Sequence, residues 1–293
     1  MAPSQLALPA EEVRTGWEAI IDLALAEDIG GGDVTTLATV PPGTHAVGTV
    51  LAKAAGVVSG VDVAGAVFRR VNPALDYRIR TGDGTRVNPG DRVAEVEGLA
   101  RGILSAERVA LNLLQRLSGV ATLTAAYVDA VAGTKARIID TRKTTPGLRA
   151  LEKAAVRHGG GRNHRFGLSD GILIKDNHLA AIGGPDRVTR AIRQATAFAP
   201  HTMRIEVEVT TLAEVEEAVA AGADAILLDN MDVETIHQAV DLVAGRALVE
   251  ASGGVNLQNV RAIAGTGVDL ISVGALTHSA PALDISLEFV IDA

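Results

Sequence analysis

The sequence has no cysteine among its 293 residues, so disulfides, thiolate metal sites and cysteine nucleophiles are excluded. Aromatic residues make up only 2%, too few for the stacking platforms that grip single strands or RNA. The core must therefore be built from Ala, Val, Leu and Ile, which suits buried parallel strands covered by helices. No apolar run reaches the length of a membrane span, and residues 1–15 lack the basic start and apolar core of a secretory signal. Net charge is −8 and the hydrophobic fraction is 47%. A chain of this length and content is expected to form one large or two ordinary domains and to work in the cytoplasm. Its overall negative charge repels polynucleotide.

Against this acidic background one stretch stands apart. Between Lys135 and His178 there are ten Lys or Arg residues against four Asp or Glu. The stretch opens on an apolar run ending in Asp140-Thr141-Arg142-Lys143. It passes through Gly159-Gly160-Gly161, flanked by Arg157, His158, Arg162, His164 and Arg165, and closes on an apolar run ending in Lys175-Asp176-Asn177-His178. A basic island in an acidic protein suits a small anion rather than a polymer.

Residues 1–10 read as a frayed tail, and Glu11–Glu27 as an amphipathic helix followed by a turn over Asp28–Thr36. From Ala46 to Gly98 the pattern is short and β-like, interrupted by one helix, Val61–Val71, which Asn72-Pro73 stops. A long helix is expected from Ser105 to Val131, with Ser105 as its N-cap. Arg108 would then lie in the first turn, where a cation opposes the helix dipole. An anionic partner accounts for it better than helix stability does, with a solvated arginine as the plainer alternative.

After Lys135 the rhythm changes. Apolar, β-branched runs at 137–140, 171–177, 203–210, 225–230, 247–252 and 270–275 alternate with helical segments. The last four begin about 22 residues apart, the length of one strand, one helix and two loops. This pattern predicts a parallel sheet in a closed or nearly closed β/α barrel. Every run ends in polar residues, and in such folds the carboxyl ends of the strands form the active face.

Three kinds of chemistry gather at those ends. Ser252-Gly253-Gly254 and Gly274 end the last two runs, where backbone N–H groups can hold phosphate, although plain loop chemistry also explains the glycines. His278 could donate to the same anion or cap a turn. Glu206 and Glu208 alternate onto one strand face. With Asp229 they form a negative pocket suited to Mg²⁺, sugar hydroxyls or a developing cation, or else an internal ion-pair layer. Arg142, Lys143, His164, Arg165, Lys175 and His178 exceed what one phosphate requires, and arginine favours planar carboxylates. They point to a second anionic ligand. A solvated basic face would not explain why they fall at strand ends and in a triple-glycine loop.

The segments EDIGGGDVTT (27–36), ERVALNLLQRLSGVATLT (107–124), DTRKTTPGLRALEKAAVRHGGGRNHRFGLSDGILIKDNH (140–178), IEVEV (205–209), ILLDNM (226–231), EASGGV (250–255) and SVGALTHS (272–279) together resemble the quinolinate phosphoribosyltransferase family. The resemblance covers nearly the whole chain in the expected order. It implies the α/β type II phosphoribosyltransferase fold, with an N-terminal α/β sandwich over residues 1–118 and an incomplete parallel β/α barrel over 119–293. The tail 280–293 is expected to pack back on the first domain. It also implies a homodimer, with further assembly left open, in which one subunit's N-terminal domain closes its partner's site.

The reaction implied is transfer of phosphoribosyl from phosphoribosyl pyrophosphate (PRPP) to quinolinate with loss of CO₂, in NAD biosynthesis. By the same resemblance Arg108 would reach quinolinate across the dimer interface, and Arg142, His164, Arg165 and Lys175 would hold its carboxylates. Lys143 and His178 would lie between the substrates. Glu208 and Asp229 would address the ribose and the Mg²⁺ that accompanies PRPP, directly or through water. Ser252, Gly253, Gly254, Gly274 and His278 would lie near a phosphate. Lys143, Lys175, Glu208 and Asp229 carry the catalytic expectation. No organic cofactor, nucleic acid or membrane is implied. A related enzyme with another acceptor (ModD-like, or using nicotinate) and a non-catalytic sugar-phosphate sensor are the competing readings.

Overall fold

The computed structural model describes residues 16–291; the expected tail and residues 11–15 of the expected first helix lie outside them. In chain order the elements are α1 (Gly16–Ile29), α2 (Val34–Thr39), β1 (His45–Ala52), β2 (Gly56–Val57), α3 (Val61–Val71), β3 (Asp76–Ile79), β4 (Arg86–Val87), β5 (Arg92–Leu99) and α4 (Ala100–Ala130). There follow β6 (Arg137–Ile139), α5 (Arg149–His158), β7 (Ile172–Ile174), α6 (Asp176–Ile182), α7 (Arg187–Phe198), β8 (Ile205–Val209) and α8 (Leu212–Ala221). The chain ends with β9 (Ala225–Asp229), α9 (Val233–Val243), β10 (Leu248–Ser252), α10 (Val260–Gly265), β11 (Leu270–Ser272), α11 (Ala275–His278) and β12 (Ile285–Ile291).

The chain divides into two compact units. The first comprises residues up to Thr122, the segment Thr144–Gly159 and the residues from Ala280 onward. Its main sheet is antiparallel, in the order β12-β1-β5-β3, and β2 pairs with β4 in a separate ribbon. Along β1, buried Ala46, Gly48, Val50 and Ala52 alternate with more exposed residues, the two-residue period of a strand with one packed face. The C-terminal β12 runs antiparallel to β1 from Ala46↔Ile291 to Ala52↔Ile285. Helix α3 spans the expected residues and ends at Asn72, because Pro73 cannot follow in the helical state.

Two expectations are corrected here. The stretch expected to be a turn holds α2, because Asp33 caps it: the Thr36 amide donates to Asp33 Oδ1 at 2.9 Å. The long helix starts at Ala100 rather than Ser105. The Ser105 hydroxyl does not cap it but donates to Asp33 Oδ2 at 2.9 Å. Arg108 therefore sits well inside α4, and the helix dipole no longer says anything about it. Leu111, Leu114 and Leu117 of this helix are buried, and truncating Leu114 to Ala would cost about 2–5 kcal/mol.

The second unit comprises Leu123–Lys143 and Gly160–Ser279. All six apolar runs become strands of one parallel sheet, in the order β6-β11-β10-β9-β8-β7. With six strands and helices between them, this is the incomplete β/α barrel, with β6 and β7 as its edges. Every residue of β8 is buried, as expected of a strand covered on both faces. Beyond β6, the Arg162 amide donates to the Ile138 carbonyl at 2.9 Å and the Asp140 amide to the Arg162 carbonyl at 3.1 Å. The basic glycine loop is thus stitched to the edge of the sheet.

Candidate active site

A cavity of about 640 Å³ opens at the carboxyl ends of the six strands of the second unit. Arg142, Lys143, His164, Arg165, Lys175, Glu208, Asp229, Ser252, Gly253 and Gly254 line it. Gly274 and His278 lie just beside it: a Cβ built on Gly274 would stand 3.2 Å from His278 Nε2 and 3.3 Å from Lys143 Cδ. His178 is not part of the lining; its Nδ1 accepts the Lys175 amide at 2.8 Å. Arg108 belongs to the first unit, where its guanidinium is 58% exposed and 3.8 Å from Glu107.

The basic wall is held from behind by acids. Asp140 is fully buried; its Oδ1 accepts the His164 amide at 2.8 Å and its Oδ2 the Asn163 side-chain amide at 2.6 Å. The acid at the end of β6 therefore anchors the loop that carries His164 and Arg165. Arg165 donates to the Gly171 carbonyl at 3.0 Å. Burial, and next the Arg142 guanidinium, hold Arg165 below the ordinary arginine range. Arg142 Nε is buried without a hydrogen-bond partner. Two neighbouring guanidiniums that repel each other make a site an anion would relieve. Lys175 is different, since its Nζ already pairs with Glu208 Oε2 at 2.9 Å.

Another part of the lining is made of backbone. Asn230 adopts φ +54°, donates its side-chain amide to Asp229 Oδ2 at 3.0 Å, and donates its backbone N–H to the Ser252 carbonyl at 2.9 Å. Gly253, at φ +89°, lies flat against it: a Cβ there would fall 2.2 Å from Asn230 Oδ1. Only glycine fits that combination of positive φ and close approach. Among the described residues, the amides of Gly253 and Gly254 donate to no acceptor. They remain open to an anion.

Beneath the cavity, His164 Nε2 stands 3.1 Å from Glu206 Oε2 and 3.9 Å from Glu250 Oε2. Glu250 is 1% exposed, and neither of its carboxyl oxygens makes a well-formed hydrogen bond; the buried Ser272 hydroxyl lies close enough to favour its charge without completing one. Burial, and next the Glu206 carboxylate, push Glu250 well above the usual carboxylate range. Sequence reasoning had paired Glu206 with Glu208 because they share a strand face. The structure gives them different neighbours: Glu208 meets Lys175 and Glu206 meets His164. Thr141, Leu173, Leu227, Asn230, Glu250 and Ser272 complete the lining and were absent from the expected site. The acid at the end of the 247–252 run was the one available signal for Glu250.

The basic island also proves to be less concentrated than its sequence. Arg149, Lys153 and Arg157 lie on α5, in the first unit, and Lys135 pairs with Asp269 at 2.8 Å. Only Arg142, Lys143, Arg165 and Lys175 of the ten face the cavity.

The chain is similar to known proteins over most of its length. The family model for the quinolinate phosphoribosyl transferase C-terminal domain matches residues 120–288, and that for the N-terminal domain residues 33–118. The carboxylating nicotinate-nucleotide pyrophosphorylase of Mycobacterium leprae is 50% identical over 271 residues, covering 90% of this chain and 94% of that protein. A probable enzyme of the same name from Bacillus subtilis is 44% identical over 262 residues, covering 89% of each. The crystal structure of NadC from Streptococcus pyogenes superposes with a TM-score of 0.90 at 43% identity, over 99% of this chain and all of that one.

Proposed function

The chain belongs to the quinolinate phosphoribosyltransferase family, and from that premise we propose how its residues divide the work of the reaction. The enzyme transfers phosphoribosyl from PRPP to quinolinate with decarboxylation, giving nicotinate mononucleotide, CO₂ and pyrophosphate for pyridine-nucleotide synthesis. Its cavity offers two kinds of anion site: neighbouring guanidiniums, with Arg142 Nε unpartnered, and open glycine amides. That division is the observation that carries the assignment of residues.

Arg142 and Arg165 take the quinolinate carboxylates, with His164 beside them and Lys175 completing the positive wall. Lys175 also holds Glu208, so one cation touches both halves of the site. Ser252, Gly253 and Gly254 take the PRPP phosphate. Gly274, His278 and Lys143, which adjoin one another, face the pyrophosphate. The C1–oxygen bond of the ribose breaks and its electron pair leaves with pyrophosphate, whose charge Lys143 neutralises. Glu208 and Asp229 stabilise the positive charge that develops on the ribose. The pyridine nitrogen of quinolinate attacks C1. The 2-carboxylate then departs as CO₂, leaving its bonding electrons on a ring carbon next to the cationic nitrogen, and that carbon takes a proton. Holding both substrates in one cavity supplies much of the rate.

Glu208 and Asp229 belong to no cluster of three protein ligands; the cluster of three among the described residues is His164, Glu206 and Glu250. Two carboxylates nonetheless fit Mg²⁺ that arrives on PRPP, because Mg²⁺ keeps waters and binds through one or two carboxylates plus substrate phosphates. When bound there it would neutralise pyrophosphate. His178, outside the lining, serves through its cap on the Lys175 amide.

We assign the exposed Arg108 to a partner subunit's cavity in a homodimer with shared sites, working in the cytoplasm. No helix among the described residues is long and apolar enough to cross a membrane. An equal mixture of Arg108→Ala and Lys143→Ala chains, each nearly inactive alone, should regain about one quarter of wild-type activity after subunit exchange, since half the dimers then carry one intact site. No recovery despite exchange would rule out site sharing. The reaction itself is tested by incubating the protein with quinolinate, PRPP and Mg²⁺, with nicotinate as a parallel acceptor. Nicotinate mononucleotide and CO₂ from quinolinate alone is the expected result. Turnover of nicotinate alone would overturn the acceptor assignment.

A further inference from the structure

Among the groups lining the cavity, Glu250 has no place in this scheme. It forms no ion pair with the proposed catalytic groups, although it feels the charge of Lys175, and it is 1% exposed with neither carboxyl oxygen in a well-formed hydrogen bond. An ionised carboxylate there would bear the cost of burial and the repulsion of Glu206, which the Ser272 hydroxyl and Lys175 offset only in part. A neutral carboxylic acid avoids both and gains a proton to donate.

The hydrogen bonds of His164 decide where such a proton is useful. The Arg165 backbone N–H donates to His164 Nδ1 at 2.6 Å, so Nδ1 carries a lone pair. Nε2 must then carry the ring proton, and it points at Glu206 Oε2 3.1 Å away. Glu206 is therefore the acceptor of the group, and one oxygen of Glu250 lies within 4.8 Å of both ligand atoms. A divalent cation in the same place would need the lone pair of Nε2. That would move the ring proton to Nδ1, against the Arg165 N–H. Arg165, with Arg142 beside it, and Lys175 would also repel it. The geometry favours a proton.

We propose that Glu250 is kept as a neutral carboxylic acid that donates to Glu206, and that Glu250, Glu206 and His164 form a positioning chain that sets Arg165 at the acceptor end of the cavity. The proposal rests on the reading of Arg165 as a quinolinate-binding residue. The link runs through the main chain: His164 is fixed by its ring at Glu206 and by its amide at Asp140, and it accepts from the next residue, Arg165.

Three measurements test it. The infrared spectrum of the wild type at neutral pH should show the carbonyl stretch of a neutral carboxylic acid that is missing from Glu250→Gln. Its absence from the wild type overturns the proposal. In steady-state kinetics Glu250→Ala should raise the KM for quinolinate about tenfold, with the KM for PRPP unchanged, because Glu206 and His164 lose their partner. Glu250→Gln, whose amide can still donate to Glu206, should restore most of that loss. If Gln harms as much as Ala, a negative charge is needed and the proposal fails. Should Glu250→Ala not fold, the infrared band and the Gln variant still decide. Titration with Mg²⁺, Mn²⁺ or Zn²⁺ provides the third test: stoichiometric binding lost in Glu250→Gln would assign the cluster to a cation and overturn the proton. The underlying reading fails separately, if Arg165→Ala leaves the KM for quinolinate unchanged.

Discussion

At the basic wall of the cavity the side chains of Asp140, His164 and Glu206 hold the main chain that carries Arg165. At the glycine wall Asn230, Ser252, Gly253 and Gly254 present amides through backbone conformation. A charged side chain can be aimed only if something behind it is aimed first, so the basic wall needs a buried acid layer. Backbone amides need no such support. They need a left-handed chain path that glycine takes most readily, and the positive φ at Asn230, Gly253 and Gly254 provides one. The two ends should therefore fail differently under mutation.

The largest effects should come from the basic wall. Arg142→Ala and Arg165→Ala each remove a charged donor to a desolvated carboxylate, a loss of about 2–5 kcal/mol. The KM for quinolinate should rise far more than that for PRPP; equal effects on both would break the division between the ends. At the other wall Gly253→Ala should act in the opposite sense. Its Cβ would collide with Asn230 Oδ1 at 2.2 Å and sit at a φ of +89°, so Asn230 or the loop must shift to relieve it. The KM for PRPP should rise about tenfold, with a strain of roughly 1–3 kcal/mol behind it, while quinolinate binding stays within a few-fold. A quinolinate-selective defect in this variant would show that the glycine turn serves the acceptor.

The same difference explains what could be read from the sequence. The six strands were legible because their β-branched runs recur at the spacing of a β/α unit. The glycine turns were legible because glycine marks the backbone path itself. The polar ends of the runs located the cavity, since a parallel sheet puts all its carboxyl ends on one side. Partnerships were not legible. Periodicity set Glu206 beside Glu208 on one face, but whether each meets Lys175 or His164 depends on loops from elsewhere in the chain. Charge counting overstated the basic wall because α5 interrupts the island and joins the first unit. The start of α4 was misplaced because Ser105 has the chemistry of a cap while its hydroxyl goes to Asp33. That error alone had made Arg108 look anomalous.

The smallest effect expected extends the comparison to two acids in opposite settings. Glu250 is pushed up by burial and by Glu206, which outweigh the Ser272 hydroxyl, whereas Asp33 has several donors and is pulled down. The Thr36 side chain and then its amide hold Asp33 below its usual 3.8, against the opposing effect of burial. A carboxylate depressed in the folded state stabilises the fold above the unfolded value and loses that contribution as pH falls through the folded one. Asp33→Ala should therefore cost about 0.5–2 kcal/mol at neutral pH, the usual value of an N-cap. The difference between variant and wild type should shrink once the pH falls below 3.8. Urea unfolding of both proteins at neutral pH and again in acid measures it. A difference that stays constant into acid would mean that Asp33 acts by its shape, and that the contrast with Glu250 does not rest on charge.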